Sequence, residues 1–120
     1  MSEEKKRPIL SDAKCYGNLY FLSGQMGKLP GTDDFAGDCI KCQTKQTALN
    51  IEAVLNKYGM GMENIIKANC YLTDMANYKA FNEVYAEYFI SSPTRTCVAV
   101  KELPFGALCE IEVVALKDAD

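Results

Sequence analysis

A chain of 120 residues amounts to one domain, long enough to bury a core of its own. Its net charge of −3, with thirteen basic residues scattered rather than striped, provides no track for nucleic-acid phosphates. No run approaches the roughly eighteen apolar residues of a membrane span.

The first seven residues, Met1 to Arg7, are mostly charged and lack the apolar stretch of a signal peptide. They read as a solvated tail on a cytoplasmic protein. Residues 12–16 and 19–23 flank Gly17-Asn18, the composition of a two-residue hairpin turn. Pro30-Gly31-Thr32-Asp33-Asp34 is a loop by composition. A helix is predicted over residues 38–58, where Ile40, Thr44, Thr47, Ile51, Leu55 and Tyr58 recur at helical spacing. Asp38 is placed to cap its start, and Gly59 to stop it in the left-handed conformation. Residues 65–73 read as a strand. A second helix opens at Asp74 or Asn77 and aligns Tyr78, Phe81, Tyr85 and Tyr88 or Phe89 in one apolar stripe, until Ser91-Ser92-Pro93 ends it. Two β-branched runs, 93–100 and 108–116, close the chain around Pro104 and Gly106.

The order strand–strand–helix–strand–helix–strand–strand specifies a single α+β domain, one sheet with both helices packed on one face. Residues 65–72 and 109–116 carry apolar side chains at both parities. The face opposite the helices therefore needs a cover that the chain does not hold, and self-association is expected to supply it.

Six cysteines invite a disulfide or metal reading. In a cytoplasmic protein structural disulfides are not expected. Cys39-Ile40-Lys41-Cys42 is a lone CxxC in a chain without histidine, which leaves a zinc site short of ligands. It reads as two half-buried thiols on a helix. The lack of histidine also excludes Ser-His and Cys-His nucleophile pairs and histidine acid–base chemistry. Any catalysis must use carboxylates, Arg, Lys, Tyr, Cys, hydroxyls, backbone groups or water.

In the strand after Pro93, Arg95, Cys97 and Ala99 share one face, and Thr96, Val98 and Val100 the other. An arginine among small apolar neighbours needs an anionic partner, either an internal carboxylate or that of a ligand. Were the last two strands a simple hairpin, Arg95 and Glu110 would lie about 17 Å apart along the sheet. They could then share a small ligand only across a subunit boundary.

The segment Pro93-Thr94-Arg95-Thr96-Cys97-Val98, with Cys109-Glu110-Ile111-Glu112-Val113-Val114-Ala115, resembles the C-terminal signature of the RidA/YjgF family. Those are small enamine/imine deaminases, also described as endoribonuclease L-PSP or translation-inhibitor proteins. Leu22-Ser23-Gly24-Gln25-Met26, Gln46-Thr47-Ala48-Leu49-Asn50-Ile51 and Phe81-Asn82-Glu83-Val84-Tyr85 fit the same family in order, from about residue 16 to 116. The resemblance implies a chorismate-mutase-like fold whose sheet separates the last two strands rather than pairing them, assembled as a homotrimer with sites in clefts between subunits. It also implies hydrolysis of 2-aminoacrylate-type intermediates without metal or other cofactor. Carried over by position, it nominates Arg95 and Glu110 as catalytic, and Ser23, Gly24, Asn82, Arg95 and Cys97 as substrate-binding. Each residue also has a structural alternative: a turn at Ser23-Gly24, an exposed helix residue at Asn82, a small core residue at Cys97, and an ion-pair partner at Glu110 or Glu112.

The chain departs from the family where an aromatic residue usually lines the pocket near the start; counting back from Ser23, Leu10 stands there. Two rival readings follow, a ribonuclease or translation inhibitor, and a non-enzymatic metabolite-binding trimer. The acidic balance argues against the first, and Leu10 sustains the second.

Overall fold

The computed structural model describes residues 7–118. The charged segment expected as a tail therefore lies, apart from Arg7, outside the described residues. Strands β1 (Ala13–Tyr16) and β2 (Leu19–Leu22) form the expected hairpin, closed by the pair Tyr16–Leu19. Gly17 takes φ of 60° there, which a two-residue turn demands at its first central position.

Helix α1 (Ile40–Lys57) follows, with Ile40, Thr44, Thr47, Ile51 and Leu55 buried as the spacing predicts. Its cap is not Asp38 but Cys39, whose Sγ accepts the amide of Cys42 at 3.1 Å. The extended backbone at Cys39 and the first helical turn bring the two side chains together, with α-carbons 5.3 Å apart, and a disulfide joins them. That separation lies within the usual range for a disulfide. The expectation of two separate helix thiols is thereby corrected: Cys39 is outside the helix and bonded to Cys42. At the other end Gly59 has φ of 79°. Met60 N–H donates to Leu55 O at 2.9 Å and Gly59 N–H to Asn56 O at 3.1 Å, the paired bonds of a Schellman stop.

Strand β3 (Ile65–Leu72) leads to a short 3₁₀ turn, Met75–Asn77, capped by Asp74 through Ala76 N–H at 2.9 Å. Helix α2 (Tyr78–Tyr88) continues from that turn. Of the two expected openers, Asp74 makes the cap bond and Asn77 makes none. Strands β4 (Thr94–Ala99) and β5 (Cys109–Leu116) complete the sheet.

The strand order is β1-β2-β5-β3-β4; only β3 and β4 run parallel, as the crossover through α2 requires. β3 thus lies between β4 and β5, and the simple hairpin of the last two strands does not exist. Residues paired across strands share a face. Arg95 pairs with Ala68 and Ala68 with Val113; Cys97 pairs with Cys70 and Cys70 with Ile111. These rows look toward the helices, where Ala68, Cys70, Leu72, Ile111, Val113 and Ala115 pack against Ile51, Leu55 and Phe81. The alternate rows, Val98–Tyr71–Glu110 and Thr96–Asn69–Glu112, look away from them. On that side Leu19, Phe21, Val114 and Leu116 adjoin across the β2–β5 pairing, with Phe21, Val98 and Leu116 exposed, beside the polar rows that carry Glu110 and Glu112. Among the described residues no helix is long and apolar enough to cross a membrane.

Candidate functional site

Arg95 stands on the outer strand β4, facing α2. The helix presents Tyr78, Asn82 and Tyr85 on one face because they are four and three residues apart. Arg95 Nη1 donates to Asn82 Oδ1 at 2.8 Å, and Nη2 to the Tyr78 hydroxyl at 3.1 Å. The guanidinium carbon lies 4.7 Å from the centre of the Tyr85 ring, within reach of a cation–π contact. Among the described residues no carboxylate lies within ion-pair distance of Arg95. Of the two partners the sequence left open, an internal carboxylate is therefore not the one observed. Met75, Tyr78 and Cys97 line an open cleft of about 330 Å³ beside it.

Asn82 is thus no idle helix residue: its amide oxygen fixes the arginine. Cys97 is half-buried in the row next to Arg95, and burial pushes its thiol up, against the pull of the arginine charge. That environment suits a packing or lining group better than a nucleophile. Tyr85 shows the same effect more strongly. Burial raises its phenol to about 12, and its hydroxyl has no hydrogen-bond partner among the described residues.

The other candidates gather elsewhere. β2 continues beyond Leu22 alongside β5, with Gln25 N–H donating to Ile111 O at 2.8 Å. This run seats Gly24 against the carboxyl group of Glu110, where a β-carbon would lie 3.0 Å from Glu110 Cδ and collide with Oε2. Ser23 is committed locally: its hydroxyl donates to Ser11 O at 2.6 Å and its amide to Asp12 O at 3.0 Å. Leu10, exposed at the neighbouring position, is thereby held near the Ser23–Gly24 end of the sheet.

Glu110 and Glu112 share a strand face but not an environment. Glu112 Oε1 accepts from the Tyr71 hydroxyl at 2.6 Å and from Asn69 Nδ2 at 3.2 Å. That bond lifts the Tyr71 phenol to about 12, with burial adding to it. Glu112 is the structurally bonded member, held by neutral donors rather than by an ion pair. Glu110 makes no side-chain hydrogen bond among those described; burial first, and the Glu112 charge second, hold its carboxyl above the usual range.

The six candidates therefore form two groups within one chain, Asn82–Arg95–Cys97 under α2 and Ser23–Gly24–Glu110 on the outward face. Arg95 aligns with Ala68 and Glu110 with Tyr71, three residues along β3. An odd separation puts the two side chains on opposite faces, about 10 Å apart along the strands and about 10 Å across two strand spacings. No single small ligand touches both in one subunit.

A model of the family described as Endoribonuclease L-PSP matches residues 5–117. The chain belongs to this family, that of the RidA/YjgF proteins. It is 41% identical to a RutC family protein of Pyrococcus horikoshii, over 98% of this chain and 95% of the relative. It is 38% identical to Reactive Intermediate Deaminase A, chloroplastic, of Arabidopsis thaliana, over 88% of this chain and 57% of that longer protein. The crystal structure of E. coli TdcF with bound serine superposes with a TM-score of 0.86 at 29% identity, covering 94% of this chain and 91% of that one.

Tyr78 and Tyr85, which the sequence pattern places in an apolar stripe, instead face Arg95. Their spacing from Asn82, with a solitary arginine on the strand that follows, was the signal that they face it.

Proposed function

We propose that the protein is a homotrimeric deaminase, hydrolysing reactive enamine and imine intermediates of the 2-aminoacrylate type to 2-oxo acids and ammonia in clefts between subunits. The observation that carries this reading is the state of Arg95. Its guanidinium is oriented by neutral groups, with two N–H bonds to Asn82 and Tyr78, and lacks a carboxylate partner among the described residues. A planar fork kept in that condition matches a ligand carboxylate through two parallel charge-assisted bonds. The Arabidopsis relative is a deaminase by name, and serine, a carboxylate ligand, is bound in the E. coli one. Both agree with this substrate class.

The split of the candidates over two sheet faces supports assembly. An outward face with exposed Phe21, Val98 and Leu116 can be covered by a neighbouring subunit, whose Arg95 would then approach Glu110 from the other side. In that cleft the arginine holds the substrate carboxylate and Glu110 manages protons. Glu110 takes a proton from water as the oxygen adds to the imine carbon and delivers it to nitrogen, giving the carbinolamine. It then takes the new hydroxyl's proton and delivers it to nitrogen as the C=O bond forms, the C–N bond breaks and ammonia leaves. A carboxyl whose affinity for protons is raised by burial suits both transfers. Backbone groups of Ser23–Gly24 and the Cys97 side chain would line the substrate. The location of this chemistry is proposed to be the cytoplasm.

The test is a coupled assay in which 2-aminoacrylate is generated in situ and release of the 2-oxo acid is followed. The proposal expects release well above the uncatalysed rate. Uncatalysed release from an intact trimer would instead favour the metabolite-binding reading that Leu10 sustains. The ribonuclease reading expects salt-sensitive RNA binding, which a net charge of −3 disfavours; a titration at two salt concentrations measures it.

A further inference from the structure

The Cys39–Cys42 pair plays no part in the chemistry above, yet its surroundings are those of an exchange site. Cys39 is exposed and Cys42 half-buried, so an incoming sulfur reaches Cys39 first. Cys39 is the N-cap of the 18-residue helix α1, and the Cys42 amide donates to its Sγ at 3.1 Å. A thiolate at Cys39 keeps that donor and the favourable end of the helix dipole. Cys42, one helical turn further on, is already within bonding distance to resolve a mixed disulfide. The remaining described cysteines differ: Cys70 and Cys109 are buried, Cys97 half-buried, and Cys15 exposed without a bonded partner.

We propose that Cys39 and Cys42 form a reversible dithiol/disulfide site that exchanges with disulfides of low-molecular-weight thiols, Cys39 attacking and Cys42 resolving. In the oxidising direction the Cys39 thiolate attacks a small disulfide RSSR. The Cys39–SR bond forms, the RS–SR bond breaks, and one RS⁻ leaves. The Cys42 thiolate then attacks Cys39 sulfur, forming the Cys39–Cys42 bond and expelling a second RS⁻. Two electrons pass from the dithiol to RSSR, and the two cysteine protons pass to solvent and the released thiolates. Reduction by an excess of the small thiol runs the same steps backward.

The site has a structural route to the rest of the molecule. Gln43, the residue after Cys42, donates through Nε2 to Gly37 O and accepts through Oε1 from Leu108 N–H, both at 2.9 Å. Gln43 thus ties the loop before the site to the segment leading into β5.

The full-length protein is reduced, freed of reductant and incubated without denaturant with oxidised glutathione. Peptide mass mapping then reads each cysteine. In the wild type the expected product is the Cys39–Cys42 disulfide with no lasting glutathione, reopened by excess reduced glutathione. Cys42→Ser should accumulate one glutathione on Cys39. Cys39→Ser, which keeps a good helix cap, should react at Cys42 about tenfold more slowly or less readily still. Failure of the wild-type disulfide to form overturns the proposal, as does modification confined to Cys15. So does a disulfide that resists reopening in the native protein, which would be a plain crosslink, or equal reactivity of Cys42 in Cys39→Ser.

Discussion

The α-carbon of Gly24 lies directly against the carboxyl group of Glu110, leaving no room for a β-carbon between them. The two residues are far apart in sequence and meet because the chain beyond β2 runs alongside β5. Gly24→Ala should push Glu110 off its position without breaking the fold, since the neighbouring Ser23 bonds are retained. Turnover is expected to fall by at least about tenfold, which corresponds to about 1.4 kcal/mol in the barrier. Circular dichroism should remain unchanged, and steady-state kinetics on the in situ substrate makes the comparison.

Asn82 fixes Arg95 without neutralising it. Asn82→Asp would place a carboxylate where the amide oxygen now accepts, giving the arginine a permanent internal partner. A hydrogen bond to a charged group is worth about 1.5–3 kcal/mol, so affinity for a carboxylate ligand should fall by about ten- to a hundredfold. Thermal stability should hold or rise. Isothermal titration with a 2-oxo acid, alongside thermal unfolding, reads both effects.

Glu110 should make stability depend on pH in a defined direction. Its folded-state affinity for protons is raised above the ordinary value of 4.5, so the native state binds more protons than the unfolded chain just above that pH. Stability contributed by this group is present in acid and falls as pH rises through the window from 4.5 upward. Glu110→Gln removes that dependence. The variant should be the more stable protein at neutral pH, with the advantage vanishing toward pH 4.5 and below, while turnover is lost. Thermal melts across that range check the sign.

Assembly is open to direct measurement. Sedimentation equilibrium at micromolar concentration should return three times the mass of the single chain. A stable monomer would remove the inter-subunit cleft, and with it any meeting of Arg95 and Glu110.

The sequence was most informative where local rules act alone. Gly17, Gly59 and Asp74 occupy the turn, stop and cap positions that their backbone chemistry predicts. The stripe from Ile40 to Leu55 predicted the buried face of α1. What local rules could not supply was strand order: nothing in residues 93–116 shows that β3 inserts between β4 and β5, because that choice belongs to long-range packing. The cap of α1 falls at Cys39 rather than Asp38, because the Cys39 sulfur, an atom type seldom read as a cap, accepts the Cys42 amide. Of the site, Arg95 and Glu110 were legible as charges placed on strands. The division of labour between Glu110 and Glu112 was not, since it depends on Tyr71 and Asn69 arriving from the adjacent strand.

The central claim is that Arg95 awaits a ligand's carboxylate rather than an internal one, and Arg95→Ala measured for both unfolding and turnover tests it most directly. Loss of two hydrogen bonds to neutral, partly exposed groups should lower stability by only about 1–2 kcal/mol and leave assembly intact. Turnover of a 2-imino acid should fall by more than about a hundredfold. Arg95→Lys, which keeps the charge but loses the planar fork, should fall by about ten- to a hundredfold. A steep loss of stability in Arg95→Ala, with undiminished activity in the protein that remains folded, would contradict the account.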